Sequence, residues 1–270
     1  MFEAIESRPG VTFWRSSLLH ERAVPHAFTT RPHNIRSAPD LQDWIRLSGW
    51  PAAPAPPTAP PAPPAPTGSD NHAALRVHMA RQVHGHAVSR PGLRLREADA
   101  VVVDQPGRVA AVRTADCVPI LLATRDGHAV AAVHAGWRGL DPTASPGVIA
   151  QAVDALVQTA GLRMAQPARG LLAAIGPCIA GRNYPVGPEV ADRFRTPHPR
   201  AVDDTPTPPH LDCRTVAQQQ LRAAGLDPQH IDTLDACTFD HPAFYSYRRE
   251  GAGVGHQAAL IAPRPRETSA

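Results

Sequence analysis

The sequence predicts an α+β protein. Three observations carry this. Short Val- and Ala-rich runs come in clusters, two amphipathic helical segments stand between later clusters, and strict βαβ alternation is absent. VTFWRSS and AVPHAFTTR alternate as two early strands. ALRVHMARQVHGHAV, ADAVVVD, RVAAVRTADCVPILLAT and HAVAAVHAG follow as strand candidates broken by Gly, Pro and Asp. Arg125-Asp126-Gly127-His128 lies between two apolar runs, and Asp-Gly at its centre predicts a type I′ hairpin. Ser145-Pro146 opens a predicted helix, with Ile149, Val153, Leu156 and Val157 on one face and Gly161 ending it. LLAAI at 171–175 reads as a buried strand, and Asp212 as the cap of a helix running through Gln220 to Gly225. TLDACT and HQAALIA read as late strands.

Residues 1–270 are read as one domain interrupted by a Pro/Ala-rich surface insert at about 51–67. That stretch holds nine prolines in seventeen positions. Proline lacks the amide hydrogen and fixes φ, so the tract favours an extended spacer over a helix or a central strand.

At 270 residues and 28.8 kDa, the chain is long enough for a core to bury roughly 75% of its unfolded surface. A net charge of +3 argues against a nucleic-acid partner. All 27 basic residues are arginine. That excludes a Schiff-base lysine and a Walker-type phosphate loop. Cysteines stand at 117, 178, 213 and 237 with no CxxC pair, so a zinc ribbon and a thioredoxin motif are excluded. No secretory signal and no apolar run long enough for a membrane helix is evident, and the expected setting is a reducing cytoplasm.

Three segments place metal-capable residues where a strand would be plain: Gln82-Val83-His84-Gly85, Thr114-Ala115-Asp116-Cys117 and His134-Ala135-Gly136-Trp137-Arg138-Gly139. A two-residue turn at Asp126-Gly127 pairs Pro119 with His134. Cys117 then shares a face with His134, diagonally across the ladder. Pro119 counts against this register, because it removes a ladder hydrogen bond. Two His and one Cys suit zinc or copper, with a fourth position left for water or substrate. The same residues also fit a buried thiol with two hydrogen-bonded histidines.

QVHG, ADAVVVDQPG, RTADCVPILL, VAAVHAGWRG, IGPCI, Tyr184 with VGPEV, and CTFDHPAFYSYRREG occur in that order. This series resembles the YfiH family, long called multicopper polyphenol oxidases or laccase-like proteins and now regarded as purine nucleoside phosphorylases with adenosine deaminase activity. The resemblance spans about residues 77–262. It implies an α/β/β/α layered fold, and zinc (with copper as the alternative) held by His84, Cys117 and His134, which would also be the catalytic residues. It further implies a purine nucleoside (adenosine, inosine or methylthioadenosine) and phosphate as ligands. A multicopper centre does not follow from the residues, since only His84-Gly85-His86 has HxH spacing.

Phosphate requires fixed cations, and without lysine these must be arginines. Arg138 follows the second histidine by four residues, Arg113 precedes Cys117 by four, and Arg31 closes the AFTTR strand. All three are candidate substrate-binding residues. Asp116 is either a proton acceptor or a structural hydrogen-bonding group on the opposite strand face. Departures from the family stand at PHNIRSAPDLQDW after the TR strand, at AGRNYPVG, where Pro185 replaces an acid, and at VGH, where His256 ends the usual TGR. Two alternatives remain open: a Cys117-dependent amidase editing a cell-wall precursor, and a metal-binding protein with a degenerate pocket. No membrane partner is expected, and the expected state is a monomer or weak homodimer.

Overall fold

The strand candidates ADAVVVD, CVPILLAT, HAVAAVHAG, LLAAI and HQAALIA are mostly apolar, and in the computed structural model the strands they form are buried on both faces. It describes residues 1–31, 33–48, 50, 75–162 and 167–264. The proline tract lies outside the described residues.

In chain order the main elements begin with β1 (Phe2–Arg8), β2 (Val11–Ser16), α1 (Ser17–His20), β3 (His26–Thr29), α2 (Ala38–Ser48) and β4 (Arg76–His78). Next come β5 (Val88–Ser89), β6 (Ala100–Val103), β7 (Arg108–Thr114), β8 (Val118–Thr124), β9 (Val130–Ala135), α3 (Val148–Thr159) and β10 (Leu171–Ile175). The last are α4 (Pro188–Arg195), β11 (Val202–Asp203), β12 (His210–Leu211), α5 (Cys213–Ala223), β13 (Ile231–Thr233), α6 (Tyr247–Glu250) and β14 (Gln257–Ile261). One six-stranded sheet runs β1-β2-β3-β14-β7-β4 and a second runs β13-β10-β8-β9-β6-β5. Both are mixed: β4–β7, β5–β6 and β10–β13 pair in parallel, and the other ladders are antiparallel.

The layers follow from side-chain parity. Val112 and Ala110 of β7, Ala259 and Ile261 of β14, Leu121 and Ala123 of β8, and Val130 and Ala132 of β9 share one buried cluster between the sheets. Their alternate neighbours point outward. Val109, Ala111, Ala258 and Leu260 pack under Leu41, Trp44 and Ile45 of α2. Ile120, Leu122, Ala131 and Val133 pack under Ile149, Val153 and Leu156 of α3 and Val216 and Leu221 of α5. The order is therefore helix, sheet, sheet, helix, as the α+β expectation and the resemblance imply.

Several elements differ from the sequence reading. β1 was not among the predicted strands. The ALRVHMARQVHGHAV segment is strand only over β4 and, at its last residue, the start of β5, because residues 82–85 leave the sheet to wrap a buried carboxylate. α3 starts at Val148, capped by Gly147, three residues after Ser145. Gly161 does end it, with φ 64°. TLDACT is mostly loop, and the strand precedes it as β13. Asp212 caps α5 as expected, accepting from the N–H groups of Arg214 and Thr215.

The β8–β9 hairpin keeps the expected register with a different turn. Pro119 pairs with His134, and Ala123 with Val130. A type I′ turn needs positive φ at both central residues, but only Gly127 has it (φ 73°), and Gly127 N–H closes onto the Thr124 carbonyl at 2.8 Å. Pro119 is tolerated in this inner strand because β10 ends at Ile175, opposite Ile120. Its carbonyl still accepts from Gly176 N–H at 2.9 Å.

Candidate metal and substrate site

His134 and Cys117 follow the parity of Val130, Ala132, Leu121 and Ala123, so both point into the layer between the sheets, at its end. His84 arrives from the loop after β4. Its backbone has φ 59°, which L-residues seldom adopt. The ligand-capable atoms of His84, Cys117 and His134 all lie within 4.8 Å of one another. The two imidazoles meet edge-on, with ring centroids 4.8 Å apart. Gly136 makes this convergence possible: a Cβ there would stand 2.9 Å from His84 Cδ2 and 3.1 Å from Cys117 Sγ. Among the described residues this is the one cluster of three His, Cys or acidic groups able to hold a metal ion. His86 takes no part, since its Nε2 sits 3.0 Å from the Arg138 carbonyl.

A residue that sequence reasoning missed organises the triad. Asp99 is fully buried. Its Oδ1 accepts from His84 N–H at 2.9 Å and lies 2.8 Å from His134 Nδ1. Its Oδ2 accepts from the N–H groups of Gly85 and Val83 at 2.7 and 3.2 Å. The carboxylate thus shapes the His84 loop and holds the proton on His134 Nδ1, leaving Nε2 as the free ligand atom. Burial alone would raise the Asp99 pKa, but the hydrogen bonds from His134 and from backbone N–H groups overcome it and hold the carboxyl below its ordinary range. The available signal was an acid at the head of the apolar run Ala100–Val103.

The thiol at 117 differs from its fellows. Burial pushes Cys178 up to about 11 and Cys213 well above the ordinary thiol range. Burial acts on Cys117 in the same direction, but His134 and His84 outweigh it and lower its pKa, while the thiolate and Asp99 raise that of His134. Asp116 takes the structural role. Its φ is 99°, its Oδ1 accepts from the Thr238 hydroxyl at 2.6 Å, and its Oδ2 accepts from Arg248 N–H at 2.7 Å.

The triad opens into a cleft of about 570 Å³. Arg113, Arg138, Trp137, Tyr184, Tyr247, Arg248 and His256 line it. Arg138 is exposed, with its guanidinium 4.7 Å from the Trp137 ring centroid. Arg113 donates to the Arg36 carbonyl. Arg31 is not in the lining: it pairs with Glu250, donates to the Phe244 carbonyl at 3.1 Å and stacks 4.4 Å from the Tyr245 ring centroid. Arg248 occupies the cleft instead, within the YSYRREG segment, which carried the resemblance but had no assigned role. His256 is kept neutral, its pKa lowered to about 4 by burial and by the nearby Arg113 and Arg36 charges.

The family model described as "Multi-copper polyphenol oxidoreductase laccase" matches residues 69–264. A Deinococcus radiodurans protein named "Purine nucleoside phosphorylase" is 34% identical over 265 residues, covering 96% of each chain. The Escherichia coli "Purine nucleoside phosphorylase YfiH" is 34% identical over 192 residues, 67% of this chain and 71% of that one. Among solved structures, a Neisseria meningitidis protein superposes with a TM-score of 0.66 at 25% identity, covering 98% of this chain and 99% of the other. YlmD from Geobacillus stearothermophilus superposes at 0.73 and 22% identity, covering 97% and 100%. The fold, the His–Cys–His cluster at the end of the sheet interface and these matches agree, and the chain belongs to the laccase-like family that includes YfiH.

Proposed function

We propose that this protein is a purine nucleoside phosphorylase that uses a zinc ion held by His84, Cys117 and His134, and that adenosine deamination is a second activity of the same cleft. The observation that carries the reading is the opening of a thiolate–imidazole triad into an arginine-lined cleft. The names of the relatives point the same way. At about 570 Å³ the cleft falls within the range of small-molecule sites.

The donor set fits zinc: two imidazoles and one low-pKa thiol, with Asp99 fixing the tautomer of His134. A bound zinc ion supplies Lewis-acid polarisation of a substrate atom. The chain's own residues do the rest. Asp99 keeps the proton on His134 Nδ1. Trp137, Tyr184 and Tyr247 offer ring faces to a purine, and the arginines hold phosphate for attack at the ribose carbon. The amidase reading requires a free Cys117 thiolate, and commitment of that thiolate to a metal disfavours it.

Purified protein should carry one zinc per chain and convert nucleoside plus phosphate to free base and ribose 1-phosphate. Product analysis with and without phosphate tests this, and release of inosine from adenosine reports the deaminase. Absence of both products from zinc-loaded protein would refute the proposal. Arg138→Gln should weaken phosphate-dependent turnover and change stability by no more than about 1 kcal/mol, since the side chain is exposed and rests only on Trp137. Unchanged kinetics would remove Arg138 from the site.

A further inference from the structure

The three cleft arginines are held to very different degrees. Arg113 is tied to the Arg36 carbonyl at one guanidinium nitrogen. Arg138 rests on one ring face. Arg248 is fixed at three places. Its main-chain N–H donates to Asp116 Oδ2 at 2.7 Å, its Nη1 donates to the Pro185 carbonyl at 3.0 Å, and its guanidinium lies 4.9 Å from the Tyr184 ring centroid. Its Nε and Nη2 have no partner among the described residues.

The charge of the lining is one-sided. Asp116 is the only carboxylate among the lining residues, and both of its oxygens are occupied, by the Thr238 hydroxyl and by Arg248 N–H. Among the described residues none of Arg113, Arg138 and Arg248 is ion-paired, whereas Arg182, Arg193, Arg195, Arg214 and Arg249 each face a carboxylate elsewhere. Fixed cations without a counter-charge attract an anion. A guanidinium already clamped on one face and one nitrogen loses little freedom when its remaining N–H groups close on an oxyanion.

From this we infer that Arg248 is the principal anchor of the anionic co-substrate, with its free Nε and Nη2 edge gripping inorganic phosphate. The inference rests on the phosphorylase reading above for the identity of the anion. It assigns the role to a residue that its position in the sequence did not single out, ahead of Arg138 and Arg113.

The test uses full-length, zinc-loaded protein as wild type, Arg248→Gln, Arg248→Lys and Arg182→Gln. Phosphate is varied at saturating nucleoside, and nucleoside at saturating phosphate. Loss of a charge-assisted contact should raise the phosphate KM of Arg248→Gln roughly 10–100-fold while the nucleoside KM stays within about twofold. Lysine should recover part of the loss because it restores charge without the planar fork. Arg182→Gln, whose guanidinium pairs with Asp240 outside the cleft, should behave as wild type. A phosphate KM for Arg248→Gln within about twofold of wild type would overturn the inference.

Calorimetric titration with inorganic phosphate separates the two proposals. If wild type cleaves no nucleoside yet binds phosphate, and Arg248→Gln does not, the phosphorylase reading falls and the anion site stands. Equal phosphate binding by both proteins, or none by wild type, overturns the site itself.

Discussion

Replacing Cys117 with alanine is expected to abolish stoichiometric zinc binding and all phosphate-dependent nucleoside cleavage while the protein stays folded. The thiolate is the only charged donor of the triad, and the other two members are neutral imidazoles when they ligate. Two imidazoles alone leave an incomplete site, so the loss should be near total. Folding should survive because Cys117 belongs to none of the three large buried clusters, which lie between the sheets and under the helices on either side. Metal analysis of the purified variant, with its thermal transition recorded alongside, checks both halves. His86→Ala is the matched control. His86 contacts the Arg138 carbonyl and stands outside the triad, so it should retain one zinc per chain. A Cys117→Ala protein that still carries one zinc per chain would refute the assigned ligand set.

Asp99→Asn is expected to damage both the fold and the metal site. The carboxylate receives His84, Gly85 and Val83 N–H groups and His134 Nδ1 in a place that water does not reach. An amide keeps one acceptor oxygen and turns an NH2 toward groups that are themselves donors. Each buried donor left without its acceptor in this way costs about 1–3 kcal/mol. Loss of the group that orients a metal-ligating histidine weakens metal affinity roughly 10–100-fold.

The pH dependence has a definite sign. The folded-state pKa of Asp99 lies below its ordinary value, so the group contributes stability above the usual carboxylate range and loses that contribution as pH falls through its folded pKa. The difference in melting temperature between wild type and Asp99→Asn should therefore shrink on acidification. A difference that is constant from neutral pH into that acid range would show that the carboxylate charge is not what Asp99 contributes. Zinc titration against a chromophoric chelator measures the affinity change separately from stability.

Much of the site is legible in the sequence alone. The β8–β9 register was readable because strand parity is local: once Asp126-Gly127 is the turn, Pro119 must face His134, and Cys117 must share its side. The turn is not the type I′ that Asp-Gly predicts, but a loop closing Thr124 onto Gly127 preserves the same pairing. The segment around His84 was read as strand because its apolar residues suggest one. The backbone there instead curls around Asp99, a requirement set 14 to 16 residues further on.

The arginines show where a linear reading stops. Arg113 and Arg138 stand within four residues of a metal-capable residue in sequence, and Arg31 closes a strand. Arg31 is instead engaged by Glu250, 219 residues away, and Arg248 enters the cleft through a hydrogen bond to Asp116 that spans 132 residues. No periodicity or spacing encodes which carboxylate neutralises which guanidinium, because ion pairing depends on distances that the packing of the two sheets creates.

The sequence by itself determined the fold class, the main strands, the helices α3 and α5 but not α2, the donor chemistry of His84, Cys117 and His134, and the family. All but the family rest on residue type and short-range periodicity, which survive without knowledge of the rest of the chain; the family rests on the resemblance of its ordered motifs. Only the tertiary structure decided that Asp99 holds the triad, that Gly136 leaves room for it, and that Arg248 rather than Arg31 faces the cleft. Those facts depend on side chains distant in sequence being pressed into one desolvated space. There, contact geometry and burial set which groups pair and which remain free for a ligand.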